Sequence, residues 1–153
     1  MKINGIAFLL FLAIAFSACN KSTVSKIPQI SLIAFVPKDS MIVNIDTCYI
    51  EFSLVDGDGD IGNDTVSVIH LKDSRFDSAG FVKTPFPAID ASIEDPKKGL
   101  QGTCLFFPVP QPTPRTDPFH VIHGDTLSYE LYITDRAGHE SNHIITHPFI
   151  VRP

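Results

Sequence analysis

Hydrophobic positions fall into two regimes along this chain. From Ile6 to Phe16 they run without a charge; beyond residue 28 they come in short runs separated by Pro, Gly and Asp. Residues 48–54 alternate, with Cys48, Ile50, Phe52 and Leu54 on one side and Tyr49, Glu51 and Ser53 on the other. That period of two predicts a half-buried strand. Residues 127–133 repeat it, with Leu127, Tyr129, Leu131 and Ile133 set against Ser128, Glu130 and Tyr132. An apolar run at 30–36, ended by Pro37, predicts a first strand, and Leu105-Phe106-Phe107 predicts another. β-branched stretches at 66–71 and 143–151 predict two more, with Pro148 marking a bulge or an edge in the last. Residues 90–99 have room for one helical turn. Pro108, Pro110, Pro112, Pro114 and Pro118 predict an extended connection closed to helix. Short strands, many prolines and a Gly124-Asp125 turn together predict an all-β, antiparallel β-sandwich. No helix is at hand to cover a parallel sheet.

The first regime has a different meaning. Lys2 precedes the apolar run, and the small residues Ser17 and Ala18 follow it. This is the order of a secretory signal peptide. Eleven helical residues reach only about 16 Å, too short for a hydrocarbon core of about 30 Å. Phe16-Ser17-Ala18-Cys19 resembles the bacterial lipobox, with Phe where Leu is usual. The resemblance implies cleavage before Cys19 and fatty acylation of that residue, a covalent lipid that anchors the chain to a membrane. The expected division is a signal peptide at 1–18, a flexible lipidated tether at 19–27 and a β-sandwich at 28–153.

Charge and cysteines narrow the picture. The net charge is −5, and removing Lys2 with the signal makes it −6. No run of Lys or Arg offers a surface to nucleic acid. Three cysteines are an odd count for a secreted chain, and lipidation of Cys19 accounts for one. Cys48 and Cys104 then remain, either as a disulfide or as two separate buried thiols.

The candidate chemistry lies in Asp56-Gly57-Asp58-Gly59-Asp60-Ile61-Gly62-Asn63-Asp64. Alternating carboxylates with Gly between them can curl around one calcium ion, which takes six to eight oxygens. Asp56, Asp58 and Asp60 match the first three EF-hand ligand positions, but Ile61 and Ser67 stand where that loop needs Gly and Glu. Further ligands would have to come from Asp64, Asn63, a carbonyl or the distant Asp135. The plainer alternative is a hairpin turn whose Asp side chains bond local amides.

Residues 50–62, with Leu71-Lys72-Asp73-Ser74-Arg75 and Ile133-Thr134-Asp135-Arg136-Ala137-Gly138-His139-Glu140-Ser141-Asn142, resemble a group of uncharacterised lipoproteins of Gram-negative bacteria. The last stretch is also similar to the final hairpin of bacterial immunoglobulin-like domains. The resemblance spans residues 30–152. It implies an immunoglobulin-like sandwich and no particular activity.

Five of the six histidines lie late: His120, His123, His139, His143 and His147. On a strand, residues four apart are about 13 Å apart, too far to share a zinc ion, so these read as exposed strand and loop positions. Serine-nucleophile, zinc-protease and phosphate-loop signatures are all lacking. The expected protein is a non-catalytic envelope lipoprotein on the outer membrane, serving as a binding, adhesion or assembly module for a protein or glycan partner. A calcium- or zinc-responsive lipoprotein is the alternative, and a small hydrolase a more distant one. The lack of an acidic run after Cys19 favours the periplasmic face.

Overall fold

The computed structural model describes residues 24–62, 66–87, 89 and 99–153. The expected signal peptide, Cys19, Asp64 and the helical turn expected at 90–99, save Gly99, lie outside them. Among the described residues, ten strands form three sheets. The first has the order β1 (Gln29–Val36), β3 (Tyr49–Asp56), β6 (Leu100–Phe106), all antiparallel. The second places β10 (Phe149–Arg152) between β2 (Ser40–Ile42) and β7 (Asp125–Leu127). The third has the order β5 (Val82–Pro85), β4 (Val68–Asp73), β8 (Tyr129–Thr134), β9 (Ile144–Ile145). The protein is all-β. Its helical content among the described residues is a 3-10 segment, Ser74–Ala79, and one short helix, α1 (Pro118–His123). No helix among them is long and apolar enough to cross a membrane.

The sequence periodicity places the core correctly. Ile50, Phe52 and Leu54 of β3 are buried, and so are Leu127, Tyr129, Leu131 and Ile133. Residues of all three sheets join one hydrophobic cluster, which Met41, Phe149 and Val151 complete.

Four expectations change. The run at 127–133 is two strands in different sheets, because Ser128 exchanges bonds with Ser74. The Ser74 N–H donates to the Ser128 carbonyl at 3.0 Å, and the Ser128 N–H donates to Ser74 Oγ at 2.9 Å. Alternation survives the switch, so the pattern alone could not reveal it. Residues 143–151 likewise divide around Pro148 into β9 and β10. Pro118, expected in an extended segment, opens α1 instead. Proline suits the first helical position, where its missing N–H costs nothing, and Asp117 caps the helix by accepting the His120 N–H. Pairing is antiparallel except for β2 on β10, which runs parallel.

Side chains close what the ladders leave open. Asn142 bonds both backbone groups of Ile30, at 2.9 and 2.8 Å, and so fastens β1. Ser141 Oγ accepts the Ile133 N–H. Gln111 does the same for Cys48, accepting its N–H at 2.7 Å and donating to its carbonyl at 3.1 Å.

Candidate metal centre

Strand β3 delivers Asp56 to its end, paired with Leu100 of β6 and fully buried. The chain then turns. Gly59 takes a left-handed φ of 67°, which L side chains rarely adopt. Ile61 returns to the core with no exposure at all. The residue that disqualified an EF-hand is thus the apolar anchor of this loop.

Each of the three carboxylates has one oxygen engaged by protein and one left over. Asp56 Oδ2 accepts the Asp60 N–H at 3.0 Å, and Asp60 Oδ2 accepts the Ala137 N–H at 3.1 Å. Asp58 Oδ2 lies 3.6 Å from Lys26 Nζ. The Oδ1 atoms of Asp56, Asp58 and Asp60 are buried and accept no hydrogen bond. The three residues can each offer one oxygen such that all lie within 4.8 Å of one another. That spacing is about twice a calcium–oxygen distance of about 2.4 Å, so one ion can touch all three.

Asp135 comes beside this group without joining it. Its two oxygens accept the His139 N–H at 2.7 Å and pair with His139 Nδ1 at 2.8 Å. Its turn nevertheless holds the loop: the Arg136 N–H and Nε–H both donate to the Asp60 carbonyl, at 3.1 and 2.9 Å.

The electrostatics are those of an uncompensated site. Burial pushes the Asp56 carboxyl up to about 6, and the charges of Asp58, Asp60 and Asp135 push the same way. Asp60 is raised by burial and then by Asp135 and Asp58. His139 is raised by its hydrogen bond to Asp135 and by that residue's charge. Without a cation the like charges oppose one another in a medium that screens poorly.

The other sequence candidates do not converge. Cys48 and Cys104 are free thiols. Cys104 registers opposite Phe52 of β3, four residues along the chain from Cys48, which immediately precedes β3. That separation of about 13 Å along the strand exceeds the reach of a disulfide. Burial raises the two thiols to about 12 and about 11, which suits packing and not nucleophilic attack. His120 and His123 lie on α1, not on a strand, and His120 pairs with its own cap Asp117. His143 pairs with Glu130 and stacks on Tyr132 at 4.4 Å. Among the described residues, the Asp56, Asp58 and Asp60 group is the one set of three ligand-type side chains close enough for a metal.

Sequence reasoning missed a second buried cluster. Arg75, whose side chain is 5% exposed, reaches Asp73 at 2.6 Å and Asp125 at 2.9 Å. Arg115 reaches Asp125 at 3.0 Å, and Arg75 Nη1 donates to the Thr113 carbonyl at 2.7 Å. The one available signal was an Asp73-Ser74-Arg75 triplet at a strand end.

Comparison with protein-family models, with curated proteins and with solved structures gives no match.

Proposed function

We propose that this chain is a lipid-anchored envelope protein whose domain is a non-catalytic, immunoglobulin-like β-sandwich stapled by one calcium ion at Asp56, Asp58 and Asp60. Two observations carry the metal: Asp56, Asp58 and Asp60 each keep one buried oxygen without a donor, and the three residues can present oxygens within 4.8 Å of one another. Leaving buried acceptors unsatisfied is costly, and a hard divalent cation is the partner they suit. Backbone carbonyls and water would supply the remaining oxygens. The anchor rests on the order of residues around Cys19. The sandwich rests on mostly antiparallel sheets that share one core. The module works through its surface, holding a protein or glycan partner in the envelope.

Thermal unfolding in calcium and in chelator tests the staple. Calcium at a hundred times its Kd should add about 2.7 kcal/mol, and Asp58→Ala should remove that gain. An unfolding curve that ignores millimolar calcium overturns the reading. Loss of fatty-acid labelling in Cys19→Ser tests the anchor separately.

A further inference from the structure

We infer that the cation held by Asp56, Asp58 and Asp60 also docks the chain's N-terminal approach, residues 24–26, onto the domain. Ion occupancy then decides whether the domain is clamped to what precedes residue 24 or swings on it. The inference rests on the metal reading given above.

Gly57, between the first two ligands, makes the link. Its N–H donates to the Ser25 carbonyl at 2.8 Å. A Cβ at this position would stand 2.5 Å from that carbonyl oxygen and would also strike the Val24 carbonyl. The approaching chain therefore lies directly on the loop backbone, where only Gly leaves room. One residue further on, Lys26 Nζ sits 3.6 Å from Asp58 Oδ2, although its side chain is 75% exposed. Ser25 Oγ accepts the Ile27 N–H at 3.0 Å and turns the chain toward β1. Val24, Ser25 and Lys26 are all exposed and place nothing in the core. Among the described residues, the polar contacts joining this segment to the chain beyond β1 end on Gly57 and Asp58.

The segment's hold is thus only as firm as the loop. Three converging carboxylates drive the loop open when no cation neutralises them, and the Gly57–Ser25 bond goes with it. A bound cation reverses the sign of that interaction and fixes the backbone that Ser25 grips. Coupling of this kind is reciprocal: whatever loosens the segment must weaken the ion equally. If Cys19 carries the lipid, five residue steps separate it from Val24, at most about 18 Å. The metal centre then lies at the membrane-proximal end, and docking sets the attitude of the domain to the bilayer.

Hydrogen exchange on the full lipidated chain in detergent micelles, in calcium and in EGTA, tests the coupling. Calcium should slow exchange at the Gly57 and Ile27 amides about tenfold, within the usual range of coupling between sites. Tryptic cleavage after Lys26 should slow with it. Gly57→Ala should leave cleavage fast in calcium and weaken calcium binding by the same factor. Lys26→Gln, which keeps the Gly57–Ser25 bond but removes the tryptic site, should retain the protection from hydrogen exchange. Should Gly57→Ala fail to fold, the comparison on the unmutated chain decides alone. Stabilisation by calcium with unchanged exchange and cleavage overturns the coupling while the metal site stands. If calcium neither stabilises nor protects, both the metal reading and the coupling fall.

Discussion

The two ends of the β4–β8 ladder bury carboxylates in nearly equal measure and treat them in opposite ways. At one end Asp125 is 1% exposed; at the other Asp56 is 0% exposed. Burial alone raises both. At Asp125, hydrogen bonds from the Arg115 side chain and backbone and from Arg75 overcome that push and hold the carboxyl well below the usual range. At Asp56 the nearest charges are other carboxylates, and the group ends at about 6. Depth does not fix the state of a buried acid; the charge of its neighbours does. One end carries its own cations; at the other, carboxylates face one another.

The largest expected effect breaks the self-sufficient end. Arg75→Ala leaves Asp73 and Asp125 without their shared guanidinium and should cost about 3–5 kcal/mol in urea unfolding. The loss should be the same with and without calcium, because the site lies at the other end. A calcium-dependent loss would show that the ends are not independent.

Ile61→Ala comes next. It empties an apolar anchor that is fully buried beneath the acidic loop, at about 2–5 kcal/mol. Calcium affinity should fall as well, since the loop loses its fixed footing. Titration of the variant by calorimetry separates the two effects, and unaltered affinity would mean that the hydrogen bonds from Arg136 and Ala137 suffice.

The smallest effect is in pH, and there the ends should differ in sign. Asp56 keeps its proton in the folded state to about 6, while an unfolded Asp loses it near 4. Its contribution is therefore present below about pH 4 and is lost as pH rises from about 4 to about 6. Asp125 is depressed, so its contribution is present above the ordinary carboxyl value and is lost as pH falls below it. In chelator, melting temperature should sag between about pH 4 and 6; saturating calcium, which needs the ionised carboxylates, should lift that sag. Arg75→Ala should flatten the acid limb alone.

The acidic loop was legible in part. Asp at alternate positions, spaced by Gly, predicts carboxylates that can meet, and Asp56, Asp58 and Asp60 do meet. Asp135, expected as a further ligand, instead has both oxygens on His139, while its turn grips Asp60. That commitment is local, an Asp side chain bonding the amide four residues on in its own turn. Arg75 and Arg115 were passed over because isolated Arg residues usually face solvent. Only their meeting on Asp125 makes them structural. Cys48 and Cys104 show the same limit, since two cysteines on neighbouring strands bond only in the right register.

The sequence by itself determined which side is buried along residues 48–54 and 127–133. Side-chain direction alternates with every residue, so Ile50, Phe52 and Leu54 must share a face whatever surrounds them. It also determined that four aspartates fall within the nine residues from Asp56 to Asp64. Tertiary structure decided the rest: where 127–133 changes sheets, which carboxylates find guanidinium and which are left facing one another, and that residues 24–26 lie across Gly57. Those are meetings between distant segments, set by how the sheets close over the core.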